Sequence, residues 1–164
     1  MRILVVSDTH GDRHTLHRVI LSQPKAEVVI HLGDGCDDIE DERFVHPEKM
    51  FLQVRGNCDW GSALPPLGEI QLENRKIFYT HGNLYNVKYT LDEIKLAARL
   101  QKATILLFGH THVPYTEYDN GLYVMNPGSL RGADASYGIV DLTPQGVVTN
   151  VIRANQGGRE PEIR

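Results

Sequence analysis

Five short motifs of the sequence contain side chains that can bind divalent metal ions. The motifs read SDTH, GD, GN, TH and GHTH, and their candidate ligands are Asp8, His10, Asp34, Asn57, His81, His110 and His112. Carboxylate oxygen, amide oxygen and neutral imidazole nitrogen are ligands for ions such as Mn²⁺, Fe²⁺, Co²⁺, Ni²⁺ and Zn²⁺. Any one of these residues could instead be a helix cap, a turn residue or a hydrogen-bonded polar group. Five motifs of this kind together favour a metal site.

One ion would not need all seven ligands, because a catalytic ion keeps at least one position open. If one carboxylate bridges, the seven residues suffice for two ions with about four protein ligands each. Two metal ions about 3.5–4 Å apart can clamp the attacking and leaving oxygens when a phosphoester is hydrolysed. The sequence therefore predicts a pair of divalent metal ions and phosphoester chemistry.

Each motif directly follows a short apolar segment that is typical of a buried strand. These segments are residues 3–6, 28–32, 50–55, 76–80 and 104–108. Ligand sites of open α/β sheets form outside the carboxyl ends of the strands, so the five strand ends should converge. Residues two apart in an extended segment point to one side, so His110 and His112 are expected to give one ligand to each ion.

The helices predicted from the sequence lie between these strands. Asp12 can cap a first helix whose apolar face contains Leu16, Val19 and Ile20, which predicts a right-handed strand–helix–strand unit. The second helix is predicted over residues 91–102, with four inward-facing side chains, Leu91, Ile94, Ala98 and Leu100. The architecture is therefore expected to be α/β with mixed sheets inside and helices outside.

The remaining predicted strands are joined by tight turns. Residues 69–72 form a strand that is connected to the next one by a hairpin turn at Asn74-Arg75. After His112 the pattern predicts an antiparallel meander of strands 115–118, 122–125, 137–142 and 147–153. Asn120-Gly121 is a strong type I′ hairpin signal within it. The polar, glycine-rich residues 156–164 are expected to be frayed.

The composition is that of an ordinary globular protein. Of the 164 residues, 41% are hydrophobic and 23% are charged, which predicts a single domain over residues 1–164. The net charge of −4 gives no reason to expect general nucleic-acid binding, and no apolar run could span a membrane. Without an export signal, Cys36 and Cys58 are expected to be free thiols in a reducing cytoplasm.

The ordered series DTH, GD, GN, His-Gly and GHTH resembles the calcineurin-like metallophosphoesterase superfamily. The GNCD form of residues 56–59 and the NPGS turn at residues 126–129 are similar to its small bacterial and archaeal phosphodiesterase branch. The resemblance covers nearly the whole chain. It implies a four-layer αββα sandwich and a metal-dependent phosphodiesterase that acts on a small-molecule phosphoester. It also implies that the chain could form a dimer or tetramer.

The resemblance also implies a role for each motif residue. Asp8, His10, Asp34 and His112 would hold the first ion, and Asn57, His81 and His110 would complete the second. Asp34 would bridge the ions, and a water or hydroxide between them would attack phosphorus in line. In this scheme Asp34, Asn57 and His81 are the catalytic candidates. Mn²⁺ is the favoured metal, and Ni²⁺, Co²⁺, Fe²⁺ or Zn²⁺ could take its place.

One position departs from the wider superfamily. Many members have a histidine directly after the asparagine, held by the next aspartate, whereas this chain has Cys58 followed by Asp59. A thiol is a weak hydrogen-bond donor, so proton donation to the oxygen of a poor leaving group is expected to be weaker. Two interpretations stay open for Cys58. It could lie with Asp59 against the metal ligands, or it could be a small buried hydrophobic residue.

Three other functions are alternatives to a phosphodiesterase. The superfamily includes a eukaryotic trafficking-complex subunit that works by protein contact, and it also includes phosphomonoesterases and nucleases. A binding scaffold would be expected to lose metal ligands, whereas here every expected ligand is present. A nuclease would be expected to have a basic groove, which the acidic chain does not favour.

Residues outside the motifs receive simpler predictions. His14 and His17 lie three apart on the first helix and are expected to be solvated, and His46, before Pro47, carries no functional signal. His31 is predicted to be a hydrogen-bonded core residue. The turn at residues 126–129 could approach the metal site, and Arg131 could contact a phosphate.

Overall fold

The computed structural model describes residues 1–155, and the tail predicted to be frayed, residues 156–164, lies outside the described residues. Ten strands and three α-helices follow one another in the described chain: β1 Arg2–Val6, α1 Arg13–Ser22, β2 Ala26–His31, α2 Glu40–Val45, β3 Met50–Gln53, β4 Leu67–Leu72, β5 Arg75–Thr80, α3 Asp92–Leu100, β6 Ile105–Leu107, β7 Tyr115–Asp119, β8 Leu122–Asn126, β9 Ser136–Thr143 and β10 Gly146–Arg153. Short 3₁₀ turns lie at Cys36–Ile39 and Asn83–Tyr85. None of the helices in this part of the chain has the length and apolar character that a membrane crossing requires.

The strands form two five-stranded mixed sheets. The first sheet has the order β10-β9-β1-β2-β3, and the second has the order β4-β5-β6-β8-β7. β1, β2 and β3 are parallel to one another, and so are β5, β6 and β8. The carboxyl ends of the motif-bearing strands therefore lie at one edge of each sheet, as the sequence predicts.

Three apolar clusters define the four layers. Ile3 and Val5 of the first sheet belong to the same cluster as Ile77 and Ile105 of the second sheet, which places that cluster between the sheets. Successive side chains of a strand point to opposite faces, so Leu4 and Val6 instead join the cluster on the other side, with residues of α1. A third cluster packs α3 on the outer face of the second sheet. The layering confirms the predicted αββα sandwich.

The first helix agrees with the prediction, whereas the second is shorter than predicted, at Asp92–Leu100, and one of its four residues predicted to face inward is exposed. The Asp12 side chain caps α1 by accepting a hydrogen bond from the Thr15 N–H at 3.0 Å. In α3, Ile94 and Ala98 are buried, whereas Leu100 is 72% exposed. The prediction for Leu100 is wrong because six residues from Ile94 correspond to a rotation of roughly 240° around an α-helix, which places Leu100 on the outer side.

The predicted meander after His112 is also wrong, although each strand in it exists. β7 and β8 form a hairpin in the second sheet, and β9 and β10 form a hairpin in the first. The hairpin turn at Asn120-Gly121 is confirmed, with φ values of 44° and 88°. The other predicted turn is shifted by one residue, since Leu72 pairs with Arg75 across Glu73 and Asn74. Local sequence determines hairpins, but the choice of sheet depends on distant pairing partners.

One carboxylate joins the loop after β2 to the loop after β3. Asp59 accepts hydrogen bonds from the backbone N–H groups of Asp34, Gly35, Cys36 and Gly56 at 2.7–3.0 Å, and from the Cys36 thiol at 3.0 Å. Burial alone would raise the pKa of Asp59, but these donors outweigh it and hold the pKa well below its usual range. Asp59 therefore fixes two loops that carry metal-ligand motifs.

We expect Asp59→Asn to lower the free energy of unfolding at pH 7 by about 1–3 kcal/mol, because an amide accepts these hydrogen bonds less well than a carboxylate. A carboxyl group with a depressed folded-state pKa stabilises the fold above its unfolded pKa of about 3.9. That contribution is lost as the pH falls further, so the difference between Asp59→Asn and wild type should shrink below about pH 4.

Urea denaturation of chelator-treated protein at a series of pH values measures this difference. Asp37→Asn is the matched control, because Asp37 is an exposed carboxylate in the same loop region. Equal effects of the two substitutions at pH 7 would contradict the role assigned to Asp59.

Candidate metal centre

All seven predicted ligands lie at the carboxyl ends of five strands. Three strands of the first sheet are each followed by ligands: Asp8 and His10 after β1, Asp34 after β2, and Asn57 after β3. Two strands of the second sheet do the same, with His81 after β5, and His110 and His112 after β6. The candidate site therefore lies where the corresponding edges of the two sheets meet, and each sheet supplies part of it.

The first group of side chains surrounds one oxygen of Asp8. The Nε2 atoms of His112 and His10 lie 3.1 Å and 3.7 Å from Asp8 Oδ1. These two nitrogens are 3.4 Å apart, and His10 Nε2 is also 3.9 Å from Asp34 Oδ2. Two carboxylate oxygens and two imidazole nitrogens thus face a common space.

The second group surrounds Nε2 of His81. This atom lies 3.1 Å from Asn57 Oδ1, 3.2 Å from His110 Nδ1 and 3.3 Å from Asp34 Oδ2. The carbonyl of Leu32 lies 2.7 Å from His81 Nδ1, and a carbonyl can only accept. Nδ1 therefore carries a proton, and Nε2 is the atom of His81 that faces the group.

The donor spacing fits bound metal ions. Ligand atoms about 2.1 Å from a shared ion lie about 3.0–3.4 Å from one another in octahedral or tetrahedral geometry. Most of the distances in the two groups fall in or near this range, and Asp34 Oδ2 belongs to both groups. Asp8 and Asp34 are 0% and 3% exposed, so their charges need compensation within the site.

The electrostatics of the site favour positive charge. Burial would lower the pKa of His81, but the carboxylates of Asp34 and Asp8 outweigh it and raise that pKa. Burial likewise opposes ionisation of Asp34, but His81 and the Cys58 N–H lower its pKa. The pKa of His110 is lowered by burial and by the His81 imidazole. The two carboxylates therefore stabilise a cation placed among these imidazoles.

The loops that carry the ligands have strained backbones. Five of the seven candidates adopt positive φ angles of 43–68°: Asp8, His10, Asp34, His110 and His112. Non-glycine residues rarely occupy this region, and such strain concentrates at functional sites. The segment His110–His112 is therefore not extended, and the premise that alternation aims both imidazoles to one side is wrong. Left-handed turns instead direct His110 to His81 and His112 to Asp8.

Close backbone contact explains the glycines of the GD and GN motifs. A Cβ atom on Gly33 would lie 2.8 Å from the Gly56 Cα, and one on Gly56 would lie 2.7 Å from the Asp34 nitrogen. Gly33 also has a φ of 99°, which strongly favours glycine. The two loops can approach each other only with glycine at these positions.

Hydrogen bonds fix Asp8 and the GHTH loop. Asp8 Oδ2 accepts from the Ser7 hydroxyl at 2.5 Å and from the His110 N–H at 3.1 Å, which leaves Oδ1 for the first group. The Asn126 amide donates to the Gly109 carbonyl at 3.0 Å. Ser129 donates to the Asp8 carbonyl at 2.8 Å. The turn at residues 126–129 thus supports the ligand loops, as the sequence suggested, whereas nothing in the sequence singled out Ser7.

His31 is a hydrogen-bonded core residue, as predicted. Burial lowers its pKa to about 4, so the imidazole is neutral at physiological pH. Its Nδ1 accepts from the Gly33 N–H at 3.1 Å, so its Nε2 donates to the Thr9 hydroxyl at 3.0 Å. Thr9 in turn donates to Asp38 at 2.6 Å. This chain of contacts ties the loop after β1 to the loop after β2.

Cys58 is exposed beside the candidate ligands, so its interpretation as a buried hydrophobic residue is wrong. Its Sγ lies within 4.8 Å of ligand atoms of His10 and Asp34. Partial desolvation of the thiol and the Asp34 charge raise the pKa of Cys58, which keeps it protonated. Asp59 does not hold the side chain of residue 58, because its oxygens bind the backbone N–H groups described above.

An open cavity of about 570 Å³ adjoins the first group. Its lining includes His10 and His112 together with Ser129 and Arg131. The prediction that Arg131 could contact a phosphate is compatible with its position at this cavity. Arg131 therefore lines the same cavity as two candidate metal ligands, His10 and His112.

Sequence reasoning missed one further group of potential ligands. His17, predicted to be solvated, lies 2.9 Å from Glu42, and His46, which carried no signal, lies 3.5 Å from the same carboxylate. The i,i+4 spacing of Glu42 and His46 could have indicated that the two side chains meet on one helix face. No sequence pattern connects them to His17.

The sequence is similar to several named proteins. It is 34% identical over 134 residues to the probable metallophosphoesterase YsnB of Bacillus subtilis, covering 80% of this chain and 76% of that protein. It is 30% identical over 169 residues to phosphodiesterase YfcE of Escherichia coli K12, covering 86% and 88%. It is also 34% identical over 139 residues to vacuolar protein sorting-associated protein 29 of Schizosaccharomyces pombe, covering 81% and 74%.

The fold has solved counterparts as well. The crystal structure of a predicted phosphoesterase from Streptococcus pneumoniae TIGR4 matches with a TM-score of 0.79 and 26% identity, over 94% of this chain and 90% of that one. The family profile described as the calcineurin-like phosphoesterase superfamily domain matches residues 1–145, which include every motif of the site. With the motifs, the αββα layers and these matches in agreement, the chain belongs to the calcineurin-like phosphoesterase superfamily.

Proposed function

We propose that the protein is a phosphodiesterase with a dinuclear divalent-metal centre. Asp8, His10, Asp34 and His112 would hold one ion, and Asn57, His81 and His110, with Asp34 shared, would hold the other. The observation that carries this proposal is the position of Asp34 Oδ2, which lies 3.9 Å from His10 Nε2 and 3.3 Å from His81 Nε2. A single oxygen that faces both groups is suited to bridge two ions.

When bound, two such ions supply Lewis-acid activation of water and neutralise charge on the phosphoester. The chain's own residues hold this arrangement in place. Leu32 orients His81, Ser7 and the His110 N–H orient Asp8, and the Cys58 N–H donates to Asp34 Oδ1 at 2.8 Å. The carboxylate and amide oxygens suit Mn²⁺, the metal that the family resemblance favours, and the imidazole nitrogens also suit Ni²⁺, Co²⁺, Fe²⁺ or Zn²⁺.

The substrate that best suits this site is a small phosphodiester. The cavity beside His10 and His112 is open and contains Arg131, whose guanidinium can pair with a phosphate oxygen. The chain has a net charge of −4, which does not favour a polyanionic nucleic acid. Cys58 directly follows Asn57, and its thiol is a weak hydrogen-bond donor. Because a weak donor gives little protonation of the leaving oxygen, esters with good leaving groups are favoured.

A protein-interaction scaffold is the second candidate, because one relative is named a vacuolar protein sorting-associated protein. The enzyme is favoured because all seven ligands are present and their donor atoms converge.

One chain supplies them all between residues 8 and 112, so the proposal needs neither a second domain nor a second copy. A reducing cytoplasm suits the two free thiols. A phosphomonoesterase with the same centre would differ only in substrate, so kcat/KM for monoesters and for diesters distinguishes the two.

The first prediction concerns metal dependence. Chelated protein should lose hydrolysis of an activated aryl diester and recover best with Mn²⁺. Asp34→Asn should lower kcat/KM by roughly 10³-fold, more than loss of any ligand of one ion, because Asp34 is the ligand that the proposal shares between the two ions. Metal content by elemental analysis and kcat/KM are measured together. Hydrolysis that persists in excess chelator, or a fully active Asp34→Asn protein, would overturn the dinuclear proposal.

The second prediction separates the enzyme from the scaffold. His81→Ala and His110→Ala should each lower turnover by at least roughly 10²-fold and weaken binding of one metal ion. His14→Ala removes an exposed histidine and should leave turnover unchanged. Circular dichroism should detect the same fold in all three variants, since both ligands lie at strand ends. Normal turnover of the two ligand variants would contradict the catalytic role of these histidines, and no turnover of any ester by metal-loaded wild type would favour the scaffold.

The third prediction concerns Cys58. Proton donation typically contributes about 10²–10⁴-fold and matters most for a poor leaving group such as an alkoxide. Cys58→His introduces a stronger donor beside Asn57, so the ratio of kcat/KM for an alkyl monoester to that for an aryl diester should rise at least about 10-fold. Cys58→Ser is the matched control and should change the ratio little. If the ratio does not change in Cys58→His, substrate choice depends on other residues of the cavity.

A further inference from the structure

We propose that His17, Glu42 and His46 form a separate metal-binding site for one Zn²⁺ or a similar ion. His17 lies in α1, Glu42 lies in α2, and His46 follows the end of α2. None of the three belongs to the seven ligands of the candidate centre. The site would therefore be an additional one on the helical layer of the first sheet.

The three side chains have donor atoms at ligand spacing. His17 Nδ1 lies 2.9 Å and 3.2 Å from the two oxygens of Glu42, and His46 Nε2 lies 3.5 Å from Glu42 Oε2. One atom from each residue lies within 4.8 Å of the others. Ligands about 2.1 Å from a tetrahedral ion lie about 3.4 Å apart, so only small side-chain shifts would be needed.

The second observation is an unsatisfied buried nitrogen. Among residues 1–155, Nε2 of His46 is the single buried side-chain nitrogen or oxygen that makes no hydrogen bond. The imidazole as a whole is 13% exposed, and this atom faces the carboxylate of Glu42. An unpaired buried polar atom is costly, and a metal ion between Nε2 and the carboxylate would satisfy both.

Charge and orientation support a cation at this position. The Glu42 side chain is 8% exposed, so a compensating charge is favourable there. The other nitrogen of His46, Nδ1, lies 3.4 Å from the Glu48 carboxylate. That carboxylate favours the proton on Nδ1, which leaves the Nε2 lone pair pointing toward Glu42, as in the carboxylate–histidine–metal arrangement of many sites.

The donor set indicates the kind of ion. Two imidazole nitrogens and one carboxylate oxygen are typical ligands of Zn²⁺, and they leave a fourth position for water. Ca²⁺ and Mg²⁺ prefer oxygen ligands and are not favoured. His17 is 43% exposed, so an ion can reach the site from solvent.

A bound ion would fasten α1 to α2. These helices follow the loops that carry Asp8 and Asp34, and those loops are already joined where Asp38 accepts from Thr9 and from the Gly11 N–H. The ion would add a connection one helix turn or more beyond that contact. We expect it to stabilise the helical layer without entering the candidate centre.

Equilibrium dialysis against Zn²⁺ followed by elemental analysis tests the proposal. Wild-type protein should bind one equivalent more than His17→Ala and one more than His46→Ala. Glu42→Gln should bind Zn²⁺ at this site at least about 10-fold more weakly, because an amide lacks the carboxylate charge. The readout is a difference of one equivalent, so it does not depend on how many ions the candidate centre holds or on whether the protein hydrolyses any ester.

His14→Ala is the matched control, since it removes an exposed histidine from the same helix. It should retain the wild-type number of equivalents, and phosphodiester hydrolysis should be equal in wild type, His17→Ala and His46→Ala. Because His17 is partly exposed, His17→Ala should fold even if His46→Ala does not. Equal zinc content of wild type and His17→Ala, or an equal loss in His14→Ala, would overturn the site.

Discussion

The structure of this protein around its candidate centre depends on two carboxylates that are buried together. Asp8 and Asp34 are almost inaccessible to solvent, yet both face the same imidazoles of His10 and His81. Isolated buried charges are strongly unfavourable, so each carboxylate needs hydrogen-bond donors and a compensating positive charge. For each of them, donors bind one oxygen, Oδ2 of Asp8 and Oδ1 of Asp34. The other oxygen of each faces the shared space.

Placing the ligands around that space requires unfavourable backbone conformations. Strain of this kind costs about 1–3 kcal/mol per residue and persists only where the surroundings enforce it. Here the surroundings are the apolar core between the two sheets and three polar side chains, Asp59, His31 and Asn126, that bind the ligand loops. The rigid strands fix where each loop begins, and the hydrogen bonds fix its course. The strands and these hydrogen bonds together therefore set the positions of the candidate donor atoms.

The same fold is compatible with more than one function. The relatives include proteins named phosphodiesterase and metallophosphoesterase, and another named for vacuolar protein sorting. The sheets and helices cannot distinguish these functions, because they are shared. The distinction depends on side chains at the strand ends, which is why we base the proposed activity on the convergence of the seven ligands. The group at His17, Glu42 and His46 resembles the candidate centre in one respect, because a buried carboxylate there also faces imidazole nitrogens.

The sequence by itself determined the α/β architecture, the two longer helices and every strand of the described chain, and it proposed the seven candidate ligands, whereas the αββα layering was implied by the family resemblance. It could do so because buried strands are short apolar runs and because each ligand directly follows one of them. The local sequence pattern could not predict contacts between distant segments. Only the tertiary structure shows that the last two hairpins belong to different sheets and that Leu100 faces outward. It also shows the left-handed turns at His110 and His112 and the hydrogen bonds by which Asp59 joins two loops. The contact of His17 with Glu42 and His46 also depends on the tertiary structure, because the packing of α1 beside α2 brings residues 25 positions apart to within 3 Å. Periodicity encodes which side of an element is apolar, whereas pairing partners and long-range hydrogen bonds are selected by the free energy of the whole fold.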